Sequence, residues 1–252
     1  MDINITGAKI LFTIPTDIPL LGDIFITETM IVSWIVLLLI TALSIWLTRD
    51  LKVEDVSKRQ AVAEMLYEMA NNFVMDTMGE KFMHYVPFIA ALFTSSIISN
   101  LIGLTGLRSP TADLSTEAAW AVVVFILITR QKIKAGGIGG YMKGFLDPIP
   151  VLAPFNVISE FATPISMACR HFGNILSGVV INSLIYAALA ALSAAVFGIL
   201  PGILGDVLAQ IPILSVGIPA VTSVYFDWFS GFMQAFIFCM LTTMFIADAA
   251  GE

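Results

Sequence analysis

Apolar residues run along this chain in long blocks, and the polar positions between them mark where each block stops. Residues 1–27 are mixed, with Pro15, Pro19 and Gly22 as punctuation, and read as an extramembrane lead, helical in part. A first membrane span is predicted over 28–48, closed by Arg49, Asp50 and Lys52. In the charge-rich stretch 53–80, Val62, Leu66, Met69 and Phe73 recur at helical spacing, while Lys58, Arg59, Glu64, Glu68 and Asp76 take other faces. That pattern predicts an amphipathic helix lying at the membrane interface, although a soluble connecting helix would carry the same pattern. A second span is predicted over 85–104, its far end polar with Ser95, Ser96, Ser99 and Asn100. A short third span over 116–130 runs into Arg130, Lys132 and Lys134. Gly136, Gly137, Gly139 and Gly140 then predict a flexible connection. They are not a phosphate-binding loop, because no strand precedes them and the spacing is wrong.

Two longer blocks close the chain, at 150–200 and 206–248, parted by Pro201, Gly202, Gly205 and Asp206. The apolar part of the first is too long for a simple span. Some 46 residues of helix at 1.5 Å each reach roughly 70 Å, against a hydrocarbon core about 30 Å thick. Either the block breaks into a re-entrant piece and a span, or it lies steeply tilted. Tilts beyond about 40° are unusual, so a long flat helix needs a protein partner along its length.

Composition fixes the class. Of 252 residues, 58% are apolar and only 12% charged, about half the charged share of a soluble domain. The expected fold is therefore an all-α polytopic membrane protein in a single membrane domain, 1–252, with about five membrane helices and one interfacial helix. The net charge of −7 says less than where the positive charges lie. Nine of the twelve Lys and Arg residues fall in two groups, Arg49 to Lys81 and Arg130 to Lys143, whereas Lys9 and Arg108 lie on the other side. This places the N-terminus outside and the C-terminus in the cytoplasm. The first apolar block lacks a basic lead, so no cleavable signal is expected. Cys169 and Cys239 sit in apolar stretches and read as small buried residues, not a disulfide or metal pair.

Arg170 is the residue this composition does not explain. Its guanidinium keeps its charge, and membrane depth costs it roughly 2.5–3.5 kcal/mol on the lenient insertion scale. No carboxylate lies near it at helical spacing, so its partner must come from another helix or another protein. Thr163, Ser166, Arg170, Asn174, Ser177 and Ile181 fall along one helical stripe, a polar seam on an apolar helix. Small Ser and Thr side chains also aid helix packing, and an arginine near a helix end can snorkel. In the last block, Asp227 and Gln234 are seven residues apart and share a face. A carboxyl at that depth can take and give protons, as a relay must; a headgroup-level aspartate would look the same. Glu117 and Asn100 are placed to line the same outer cavity. His171 points about 100° away from Arg170 and is expected to pack or hydrogen-bond. No second His or Cys stands at ligand spacing, so no metal or cofactor is expected. No nucleophile triad, nucleotide loop or basic nucleic-acid patch is present. The chain reads as a conduit with no active site of its own.

The run Arg170, Phe172, Gly173, Asn174, with Gly178 following, resembles the R-x-F-G-N motif of subunit a of the F-type ATP synthases. Gln234 to Phe238 is similar to that family's Q-A-F-I-F motif, and Pro110 to Leu114 to its P-T-A-D-L segment. The resemblance covers nearly the whole chain in order. It implies spans, an interfacial helix and a hairpin of two long tilted helices against a rotor ring of c subunits. It implies further partners: the b-subunit stator stalk, the other synthase subunits and membrane lipid, in a bacterial plasma membrane. By the same resemblance Arg170 is the stator arginine facing rotor carboxylates. Asn174 and Gln234 are its polar neighbours, and Ser166 lies beside the inner half-channel. The implied function is translocation of an ion, a proton in the first instance, through two offset half-channels, coupled to rotary ATP synthesis. Two positions depart from the pattern: Val179 stands where an acid is frequent, and Asp227 where His or an acid is frequent. Asp227, with Glu117, is expected to supply the missing acid. The competing reading is a secondary transporter or anion channel with Arg170 as substrate ligand. Such folds often carry inverted repeats, and the first half of the chain has no counterpart of the Arg170 seam.

Overall fold

The computed structural model describes residues 8–15, 23–147, 149–199, 222 and 224–251, without the side chains at 226 and 227. The described part of the lead is not helical. Ile10–Ile14 (β1) and Ile24–Thr27 (β2) pair antiparallel, with Ile14 opposite Ile24. Both segments are rich in β-branched and aromatic residues, which suit a pleated surface. The chain passes directly from β2 into α1, Glu28–Thr48. Its side chains are largely exposed, with Leu37, Leu38 and Ile45 among them. On a helix of this length and apolarity, that is surface for lipid.

The turn into α2, Lys58–Met78, is tied locally. Ser57 caps the helix by accepting from the Gln60 amide at 3.2 Å. The Gln60 side chain in turn binds both the N–H and the carbonyl of Lys52. Arg59 lies over the Trp46 ring and donates to the Arg49 carbonyl, joining the end of α1 to the start of α2. The stripe of Val62, Leu66 and Met69 is exposed, while Val74 and Met78 are buried in the protein core.

A 3₁₀ turn, Glu80–Tyr85, leads into α3, Val86–Leu101. Short 3₁₀ turns at Ile102–Thr105 and Pro110–Ala112 precede α4, Leu114–Gly144. The expected short span 116–130 is the apolar first half of α4. The glycines that predict a flexible connection are helical instead, with one break at Gly137, where φ is +69°. Only glycine adopts that backbone at little cost.

The 3₁₀ turn Pro150–Leu152 opens α5, Ala153–Phe197, one helix of 45 residues with Pro164 inside it. At 1.5 Å per residue it is about 68 Å long, so the block does not break into a re-entrant piece and a span. The last described part is a π-helical turn, Val224–Phe229, continuing into α6, Ser230–Asp248. The earlier part of the expected 206–248 helix lies outside the described residues. Among the described residues four helical stretches are long and apolar enough to cross a membrane: Glu28–Thr48, Glu80–Thr105, Pro150–Phe197 and Ser230–Asp248.

The core lies where α2, α3 and α6 meet α4 and α5. Val74, Met78, Phe82, Ile89, Val124, Met167, Phe238 and Ile246 are buried together there. The closest pairing of long helices is α4 with α5. It sets which α5 residues face inward: Met167, Ala168, His171, Gly178 and Asn182 are buried, while Ser166, Arg170, Ser177 and Val179 are exposed.

Candidate functional site

Three groups of polar residues stand out, strung along the helices. The first is at the end that carries the β-pair. Asp113 caps α4: its Oδ1 accepts from the Ser115 amide and hydroxyl, and its Oδ2 accepts from the Thr29 hydroxyl at 2.9 Å, tying α1 to α4. Just inside, Ser109 donates to the Ser99 carbonyl and meets the Thr111 hydroxyl at 2.6 Å. Thr111 donates to Asn100, whose amide donates to the Gly231 carbonyl at 2.9 Å. The buried polar groups at this end thus close on one another and lock α3 to α6. Asn100 is satisfied on both sides of its amide.

The second group surrounds Arg170. The arginine sits on the exposed face of α5 with Ser166 and Ser177, and Thr163 and Asn174 flank it half-buried. Ser166, Arg170 and Ser177 of the expected seam thus face away from the protein core, while Thr163 and Asn174 turn partly inward. Among the described residues Arg170 has no ion pair. Asn174 donates to the Ser230 hydroxyl at 2.6 Å, joining α5 to the start of α6 beside the Gly231–Asn100 bond. Gln234 is half-buried one turn further along α6. The Asp227 side chain lies outside the described residues. Cys169 is exposed on the Arg170 side of α5, against the buried position its apolar neighbours suggest; Cys239 is buried.

Glu117 and His171 meet behind the arginine. Their side chains are 0% and 1% exposed, and Nδ1 of His171 is 3.2 Å from a Glu117 carboxylate oxygen. Glu117 was expected beside Asn100, and the structure pairs it with His171. The imidazole packs against the Trp120 and Phe238 rings.

The third group was not singled out from sequence. Near the C-terminal end of α6, a cavity of about 710 Å³ is lined by Lys132, Tyr141, Asn156, Glu160, Thr163 and Asp248, among others. Glu160 accepts from Lys132 at 2.6 Å and from the Tyr141 hydroxyl at 3.3 Å. Burial and the adjacent Glu160 charge push the Tyr141 hydroxyl above its ordinary range, so it remains a donor. Lys132 and Glu160 are 28 residues apart on different helices, beyond any local spacing rule. Glu160 was the one visible clue, as a carboxylate within an apolar block.

Lipid-length helices carrying buried polar groups, and an arginine on the exposed face of α5 with no ion pair among the described residues, fit an ion-handling membrane protein. The family described as ATP synthase A chain matches residues 30–247. The sodium-ion-specific ATP synthase subunit a of Propionigenium modestum is 28% identical over 276 residues, covering 98% of this chain and 86% of the relative. An ATP synthase subunit a of Chlorobaculum parvum is 33% identical over 230 residues, covering 90% of each chain. That of Desulforamulus reducens is 32% identical over 227 residues, with 89% and 80% covered. The chain belongs to the ATP synthase A chain family. It is a membrane protein that translocates ions in the Fo sector, as part of a complex with other ATP synthase subunits. A free-standing transporter is not favoured.

Proposed function

We propose that ions reach and leave a rotor carboxylate through two offset half-channels, with Arg170 between them. The carrying observation is the guanidinium on the exposed face of α5, which has no ion pair among the described residues. A cation at membrane depth needs an anion, and the surface it faces is the one a c-subunit ring would occupy, while a b-subunit stalk holds this chain still. From outside, the path runs by the Asn100 group, Glu117 and Asp227; Asn174 and Gln234 keep the surroundings of Arg170 polar. On the cytoplasmic side it runs past Ser166 and Thr163 into the cavity lined by Glu160 and Lys132. This sets the β-pair outside and the C-terminus in the cytoplasm of a bacterial cell, as the Lys and Arg distribution requires.

The fixed charge of Arg170 keeps the approaching rotor carboxylate ionised and bars a cation from crossing between the half-channels directly, as charged barriers do in pores. The ion must therefore ride the ring. Each charge that does so yields about 2.3 kcal/mol per 100 mV. Arg170→Ala is expected to abolish gradient-driven ATP synthesis in membrane vesicles while the detached soluble sector still hydrolyses ATP. Full coupling in that variant would refute the reading.

A further inference from the structure

We propose that Glu117 and His171 form a single proton-holding station on the outer side of Arg170, through which the coupling ion, a proton, passes on its way to the rotor. The proposal rests on the half-channel reading above and names two residues and the ion within it. Both side chains are removed from the surface. Neither carboxylate oxygen and neither ring nitrogen completes an aligned hydrogen bond among the described residues, although the two groups are 3.2 Å apart. A purely structural ion pair buried at this depth is expensive unless its remaining lone pairs and protons are satisfied. Four orphaned polar atoms in one buried spot call for another explanation.

Position supplies it. Asp113, at the outer end, is four residues and one turn before Glu117 on the same face of α4. Glu117 meets His171, and His171 adjoins Arg170 in the chain. The acid–base pair thus lies one turn inward of Asp113 along α4, at the level of Arg170 on α5, with the guanidinium on the exposed face of that helix. Within about a turn of the pair stand Asp113 before α4, Cys169 and Arg170 on α5 and, next to the contacting Phe238, the thiol of Cys239 on α6; the other ionisable groups of these helices, Arg130 to Lys143, Glu160, Tyr186 and Asp248, lie further along them. The turn Pro110–Ala112 brings none. The pair alternates between two states that differ by one proton: a carboxylate beside neutral imidazole with its proton on Nδ1, and the same pair with one proton added at Nε2 or at the free carboxylate oxygen. That proton is taken up from the outer side and released toward the rotor. No other bond changes. A hard alkali cation favours a shell of oxygen ligands; Glu117 offers its carboxylate, but the imidazole it faces adds none.

The test uses the intact complex in sodium-free proteoliposomes, with ATP synthesis driven by an imposed gradient and expressed per assembled complex. Glu117→Gln keeps the shape and an acceptor for His171 but cannot carry the proton. It is expected to lower the rate by about a hundredfold, the lower end of what a positioned proton-transfer group contributes, and to remove a titration from the dependence on outer pH. A wild-type rate and pH profile would overturn the proposal. Should that variant fail to assemble, the exchange Glu117→His with His171→Glu decides. An active complex with a shifted pH profile supports the pair, and one with an unchanged profile sinks it. Arg170→Ala is run alongside. If it uncouples while the pair variants behave as wild type, only the present inference fails; if it remains coupled, the half-channel reading itself fails.

Discussion

Asn100 shows how much one side chain holds. Its carbonyl and amide join the Pro110–Ala112 turn to Gly231 across two helices. Asn100→Ala takes a partner from the Thr111 hydroxyl, which keeps only Ser109, and the side-chain donor from the Gly231 carbonyl, both in a buried place, at about 1–3 kcal/mol. The expected outcome is a lower unfolding midpoint in detergent. Gly231 tests the same contact from the other side, because a Cβ there would sit 3.1 Å from Cβ and 3.3 Å from Nδ2 of Asn100. Gly231→Ala is expected to cost about 1–3 kcal/mol by overpacking. In the double variant with Asn100→Ala the combined loss should fall short of the sum, since the Nδ2 and Cγ contacts go while only the one to Cβ stays; strict additivity would mean the two do not share a contact. Arg170 was legible in the sequence because a permanent charge in an apolar block needs no structure to be conspicuous. The Glu117–His171 pair was not, since helical spacing assigns a face to a residue but not the helix that face will meet.

At the scale of elements, the ends of the apolar blocks were legible and their internal conformations less so. The lead alternates β-branched and aromatic residues over stretches of only five and four, and its Pro and Gly punctuation hid the pair. The glycines after Lys134 looked like a connection because glycine weakens helices. In the structure α4 continues through them, and the Lys132–Glu160 ion pair with Tyr141 fastens this region to α5. The break is confined to Gly137, where an added Cβ would touch nothing within 4 Å. Any loss in Gly137→Ala is therefore backbone strain alone, about 1–3 kcal/mol for a residue held at positive φ with ψ about 180°. A chemical-denaturation series of the solubilised protein should show that loss, with Gly139→Ala as the control that shows none, since Gly139 has the same free space and no positive φ. Equal losses at both positions would place the effect elsewhere than in the break.

The whole molecule is a wall with one dressed side. Around Arg170, α5 leaves Ile158, Phe161, Ile165 and Val179 exposed, while its other face is closed against α4 and α6. Lipid alone would cover the apolar residues but would leave the guanidinium unpaired, so a protein surface carrying acids is the better complement. The chain supplies its own probe for that surface. Cys169 is exposed beside Arg170, and Cys239 is buried. In the isolated chain in detergent, a maleimide should modify Cys169 and spare Cys239. In the complete complex a covering rotor ring should slow the Cys169 reaction by roughly tenfold or more, because thiol reactivity follows access. Stripping the ring from the same membranes should restore the rate, which separates cover by protein from cover by lipid. If Cys169 reacts equally fast with the ring in place, the face bearing Arg170 is not the one a rotor turns against, and the proposed path through two half-channels past Arg170 fails.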